Sequence, residues 1–262
     1  MLFDEIRKIA LEREDVIVPA EWAQGRTVYG GLSAGLLCDA LSQGVDSDRR
    51  LRYLKVGFLR PLEAEKPFRV EMAEVSAGRT VIVRSAQIIQ DGTTRVTAQA
   101  NFVTKLDSEV EIETFSPPDL RPRSAEGTMP MRGPQLPAFT QFFDFHVTTD
   151  GLPFQGREVP ELGGWMRFET APDSITKSHL VCLIDVWPPV PVTYYDRMVP
   201  LSTINWGIHF AEPLDGVQGD AFLGYLARVN FFSDGYGSTT AHIWAPDGRL
   251  LAKSYQTFVM YG

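Results

Sequence analysis

Hydrolytic or transfer chemistry needs nucleophiles, bases or metal ligands at workable spacing, and this chain offers few. Residues 31–35, GLSAG, match the G-x-S-x-G pattern in which a strained turn exposes a nucleophilic serine. Their surroundings argue against it. That motif needs a buried strand before it and an oxyanion-hole loop upstream, whereas only 30 residues precede Gly31 and the flank EWAQGRTVYGG is not a buried strand. Glycine, serine and alanine at the start of an apolar helix serve close packing, so Ser33 reads as structural. His146, His179, His209 and His242 form no Ser/His/Asp set and no metal-ligand spacing, and His209 reads as a half-exposed strand residue. Cys38 and Cys182 each sit in an apolar stretch, which suits reduced, buried thiols better than a disulfide framework or a zinc site. Neither a metal nor a cofactor is expected.

Asp185 stands apart. In HLVCLIDVW, Leu180, Leu183, Ile184 and Trp187 form a stripe at helical spacing, and Val181 and Cys182 make the opposite side apolar as well. Burying an unpaired carboxylate costs on the order of several kcal/mol, so Asp185 must meet a partner, take up a proton or face a cavity. The alternative is a carboxylate facing solvent at the helix end or capping a neighbouring loop. Asp39 poses the same question nearer an exposed end, and Ser178 and Pro188 are the natural N-cap and stop of the Asp185 helix.

The elements that must carry these residues occur twice. Residues 106–137 hold six prolines with glycine and mixed charge and show no sustained period, which reads as a linker between units 1–105 and 138–262. On either side, FLRPL at 58–62 corresponds to FAEPL at 210–214, and QDGTTRVTAQANFV corresponds to PDGRLLAKSYQTFV around Asp91-Gly92 and Asp247-Gly248. The offsets are 152 and 156 residues. Between these markers both halves alternate at period 2, as antiparallel hairpins do. Before each strand set comes one helix, GGLSAGLLCDALSQG or SHLVCLIDVW, apolar nearly all round and therefore buried on all sides. The expected fold is α+β: two tandem units, each an antiparallel sheet wrapped around a buried helix.

The repeat sets Gln256 against Ala100 and Thr203 against Leu51, so the second copy carries polar groups where the first has apolar ones. Specialisation of one copy into a single asymmetric site would do this, and so would drift at exposed positions. In LSTINWGIHF, strict alternation places Thr203 with Asn205, Gly207 and His209, opposite the face of Ser202, Ile204 and Trp206.

Composition excludes some partners. A net charge of −8 and a pI near 5.1 lack the basic footprint of a nucleic-acid binder. No apolar run approaches the ~18 residues of a membrane span, and MLFDEIRKIALERED is charged throughout rather than signal-like, so no membrane partner and a cytoplasmic location are expected.

Taken together, YGGLSAGLLCDAL, AGRTVIVRSAQIIQDG, TINWGIHFAEP and DGYGSTTAHIWAPDGRLLAKSYQTFV resemble the acyl-CoA thioesterase II, or TesB-type, double hotdog family across nearly the whole chain outside the linker. The resemblance implies hydrolysis of acyl-CoA to free acid and CoA, with Asp185, Thr203 and Gln256 as catalytic residues, and an association of identical chains. It leaves open whether Asp185 activates water or attacks the thioester itself. The chain departs from the family pattern at Asn205, Trp206 and Ala211. Those departures sustain an alternative, a non-hydrolytic acyl-CoA or lipid-binding protein on the same fold.

Overall fold

A computed structural model describes residues 1–262 except 13–14, 111, 113–115, 126–127, 132, 134 and 212. Glu212 of the FAEPL marker and eight positions of the proline-rich stretch therefore lie outside the described residues. In chain order the elements are α1 (Phe3–Glu12), the hairpin β1 (Ala23–Gln24) and β2 (Thr27–Val28), α2 (Gly30–Ser42), β3 (Arg49–Phe58), β4 (Arg69–Ala77), β5 (Val81–Gln90) and β6 (Thr93–Thr104). There follow β7 (Met129–Pro130), β8 (Phe143–Val147), β9 (Glu161–Phe168), α3 (Lys177–Ile184), β10 (Leu201–Phe210), β11 (Leu223–Ser233), β12 (Tyr236–Trp244) and β13 (Leu250–Met260).

The two units are fused rather than merely tandem. Their sheets join edge to edge through antiparallel β3 and β10 into one eleven-stranded sheet, ordered β4-β5-β6-β3-β10-β13-β12-β11-β9-β8-β7. This is a double hotdog, with α2 and α3 packed against each other inside the curve of the sheet. They run antiparallel at close quarters: a Cβ on Gly31 would stand 2.7 Å from the Cys182 carbonyl oxygen, and one on Gly35 3.1 Å from that of Ser178. Those glycines serve helix contact, and Ser33 between them is buried, its hydroxyl turned back to the Tyr29 carbonyl at 3.3 Å.

The repeat holds to the level of strand irregularities. β3 and β10 bulge between Leu51/Tyr53 and Thr203/Asn205; β4 and β11 between Glu74/Ser76 and Val229/Phe231; the last hairpins between Ile88/Ile89 and Ile243/Trp244. Each pair keeps the offset of 152 or 155 residues along the chain. The Ile204 bulge corrects the expected alternation. One extra residue there reverses the parity of the strand. Thr203 pairs with Phe258 and Trp206 with Gln256, so Thr203 shares the inward face with Trp206 while Asn205 points out.

Three further expectations change. The cap of α3 is Thr176, not Ser178: its hydroxyl accepts from the His179 backbone N–H while the His179 ring reaches back to the Thr176 N–H. The helix stops at Ile184, ahead of Pro188, with Asp185 as its C-cap. The proline-rich stretch supplies β7 and packs onto the second unit, the Arg121 carbonyl accepting from the Trp165 indole at 2.9 Å. The charged N-terminus, read only as lacking signal character, forms α1, which buries Phe3 and Ile6.

Candidate active site

Asp185 ends α3 where the start of α2 crosses it. A Cβ on Gly30 would stand 2.8 Å from Asp185 Oδ2, and the Gly31 backbone N–H donates to the carboxylate. The Tyr29 hydroxyl, just ahead of α2, donates to the Cys182 carbonyl at 2.6 Å and ties the two helices together here. The first turn of a helix carries unpaired N–H groups and the positive end of its dipole, so it favours an anion.

From the sheet below, Gln256 Nε2 donates to Asp185 Oδ1 at 2.8 Å. Gln256 is 7% exposed and β13 aims it inward, as the repeat from Ala100 requires. Thr203 lies on the same face of the neighbouring strand, opposite Phe258 and thus diagonal to Gln256. Diagonal neighbours have Cα atoms about 7–8 Å apart, within one water of each other's side chains. The structure thus joins Asp185 to Gln256 directly and sets Thr203 diagonal to Gln256, half-buried and without a hydrogen bond to either.

Burial pushes the Asp185 carboxyl up to about 7, and the hydrogen bonds from Gln256 and Gly31 only partly offset it. Asp185 as a whole residue is half-buried at the end of its helix. Around it stand Tyr29, Cys182 and Tyr225, each pushed up by burial first and by the Asp185 charge second, and so uncharged near neutrality. Tyr225, stacked on Trp187 at 4.9 Å, escaped the sequence reading; the 155-residue offset from Val70 was the signal that could have found it. Hollows of about 220 and 520 Å³ open elsewhere, beside Phe3 and beside Pro137, and touch none of Asp185, Thr203 and Gln256. The carboxyl poised near neutrality locates the site better than hollows without such a group.

The remaining candidates separate from this site. Asp39 is held by Arg7 of α1, whose Nε and Nη2 donate to it at 2.5 and 3.0 Å. His179 Nε2 lies 3.0 Å from Asp4 in the same cluster, a contact across 175 residues that no local spacing could reveal. His209 is exposed on the outer face against Tyr53. Asn205 is exposed there too, and Trp206 is buried with its indole N–H donating to Ser254 Oγ at 2.8 Å, so neither departure from the family pattern bonds Asp185.

Comparison with known families decides the identity. Residues 18–103 match the acyl-CoA thioesterase N-terminal domain, and residues 117–260 match the acyl-CoA thioesterase C-terminal domain. The chain belongs to the acyl-CoA thioesterase family. It is a thioester hydrolase, and its acyl-CoA thioesterase fold recurs in solved structures at low identity. A hot dog fold protein of unknown function from Alicyclobacillus acidocaldarius aligns with a TM-score of 0.86 at 23% identity, over 99% of this chain and 98% of its own. The tesB protein of Mycobacterium avium subs. paratuberculosis aligns at 0.76 and 17% identity over 100% of both chains. Acyl-CoA thioesterase II TesB2 of Mycobacterium marinum aligns at 0.68 and 17% over 94% of this chain and 92% of its own. Among curated proteins no sequence matches significantly. No helix among the described residues is long and apolar enough to cross a membrane.

Proposed function

We propose that this thioesterase hydrolyses acyl-CoA to the free carboxylic acid and CoA at a site formed by Asp185, Thr203 and Gln256. The observation that carries the proposal is the Gln256–Asp185 hydrogen bond of 2.8 Å, which ties a carboxyl with pKa about 7 to the inward face of the sheet. A carboxylate tuned near neutrality is half ionised at the working pH and is a competent general base.

In this reading the Asp185 carboxylate takes a proton from water as the water oxygen bonds to the thioester carbonyl carbon. The tetrahedral intermediate then collapses, the C–S bond breaks, and the departing CoA thiolate recovers the proton from Asp185. Gln256 fixes the carboxylate through Nε2, and the Thr203 hydroxyl, turned inward by the bulge, both donates and accepts and so orients the water. Family membership favours hydrolysis over binding without turnover. The reading extends to a cytoplasmic enzyme that associates with copies of itself, for which light scattering on the purified chain is the check.

The test is thiol release over acyl-CoAs from short to long, with Asp185→Asn in parallel. Turnover by the parent and none by a folded Asp185→Asn is the expected result. Unchanged turnover in that variant removes Asp185 from the mechanism.

A further inference from the structure

The inward row of the sheet differs between the copies at one more position near the site. In the first copy, Arg84 of β5 is 8% exposed and its Nη1 donates to the carbonyls of Leu41 at 3.0 Å and Gln43 at 2.5 Å, closing the C-terminal end of α2. Its counterpart is fixed by register: Arg84 pairs with Glu74 and Ala100, and the matching residue between Val229 and Gln256 is Thr239. Where the first copy drives a cation under its helix end, the second has a hydroxyl, 4% exposed, beside the glutamine that holds Asp185.

Gln256 has two direct inner-face neighbours, Trp206 on β10 and Thr239 on β12. The Trp206 N–H already donates to Ser254. The Thr239 hydroxyl bonds none of the described residues, Gln256 included, and directly opposed side chains have Cβ atoms about 4.5–5.5 Å apart, within one water of each other. With Nε2 turned to Asp185, Gln256 presents Oε1 as an acceptor that needs a donor. An amide held at one end only can turn over and set its oxygen against the carboxylate.

We infer that Thr239 is a positioning residue of this site: acting through one bridging water, its hydroxyl holds the Gln256 amide with Nε2 toward Asp185, and its small size leaves clear the space that Arg84 fills in the first copy. This rests on the assignment of Asp185 and Gln256 as the hydrolytic pair. The titratable groups facing Asp185 are Tyr29 from the start of α2, Cys182 on α3 and Tyr225 on β11, all uncharged near neutrality. Gln256 and the Gly31 N–H are therefore the groups that stabilise the Asp185 anion, and a disordered amide moves the Asp185 titration to higher pH.

The test is the pH profile of kcat/KM for Thr239→Val and Thr239→Ser, with Asp185→Asn as reference and thermal unfolding recorded for each. For Thr239→Val we expect an acid limb moved up by about one unit, hence about tenfold less activity near pH 6, most of it recovered near pH 9 with KM little changed. Thr239→Ser should stay within about threefold of the parent, because it keeps the donor. A Thr239→Val profile that overlays the parent overturns the inference. So does a loss that is equal at every pH and not rescued by serine, the mark of a packing defect. Full turnover by Asp185→Asn would instead strike the hydrolytic reading, whatever the Thr239 variants do.

Discussion

The C-terminal parts of the two buried helices have opposite characters. Asp185 and Cys38 each stand nine residues past the residue that opens their helix, Thr176 or Tyr29. At the end of α2 the charges are matched: Asp39 to Arg7, and the terminal carbonyls to Arg84, above a sheet that offers Leu51 and Ala100. At the end of α3 a carboxylate meets an amide, a backbone N–H and neutral phenols, above Thr203, Thr239 and Gln256. Backbone and bulges are shared, so the difference lies in a few side chains. Withholding the cation from one helix end leaves a carboxyl near neutrality, and supplying it at the other makes a strut.

The largest effect that can break this contrast is Asp185→Asn, which should lower kcat/KM by about 10²–10⁴-fold with the fold retained. The same variant sharpens it through stability. The folded carboxyl titrates at about 7 against 3.8 for the ordinary group, so the folded state holds its proton more tightly. The parent therefore loses stability as pH rises from the lower value through the upper one, and asparagine does not. Asp185→Asn should exceed the parent by about 2–4 kcal/mol at pH 8 and match it near pH 4, read from urea midpoints at both pH values. No pH-dependent gap would mean the carboxyl is not strained by burial. In the parent, the acid limb of kcat/KM should fall near pH 7.

Next come exchanges that remove the second copy's polar groups. Gln256→Ala, the residue found at position 100, should cost about 10–10² in kcat/KM and raise the acid limb, because an anion-stabilising donor is lost. Thr203→Val should cost less, about 3–10-fold, since the hydroxyl orients water without bonding Asp185 in the resting site. Steady-state thiol release across pH separates the two: the first shifts the limb and the second lowers the plateau. A limb shift in Thr203→Val would mean that Thr203 bonds the carboxylate after all.

The fold was legible because the duplication doubled each weak signal: two apolar helices and two sets of alternating strands at one offset outweigh any single propensity. Placement of Gln256 followed from that offset alone. Thr203 came from the same arithmetic, but period-2 reading set it on the wrong face, because a bulge at Ile204 leaves no mark in residue type. The fusion of the sheets through β3 and β10 was not legible, since both strands pair on both sides and nothing in their pattern names the partner. Nor was the Arg7–Asp39 contact, which depends on an N-terminal helix that was read only as lacking signal character. Long-range ion pairs follow from the fold and do not announce themselves in local spacing.

That contact supplies the smallest expected effect on activity and the cleanest control. Arg7→Met keeps an apolar stem of similar length while removing the guanidinium from Asp39 and from over the Phe3 ring. The pair is largely shielded, with side chains 16% and 14% exposed, so an unpaired Asp39 should cost about 1–3 kcal/mol in unfolding free energy. Turnover of acyl-CoA should stay within about twofold, because the loss falls at the helix end remote from Asp185. Adding Asp39→Asn should return part of the stability by removing the orphaned charge, and the double-mutant cycle then isolates the pair. If Arg7→Met instead cut turnover as deeply as Gln256→Ala, the two helix ends would be coupled, and the division into strut and site would have to be abandoned.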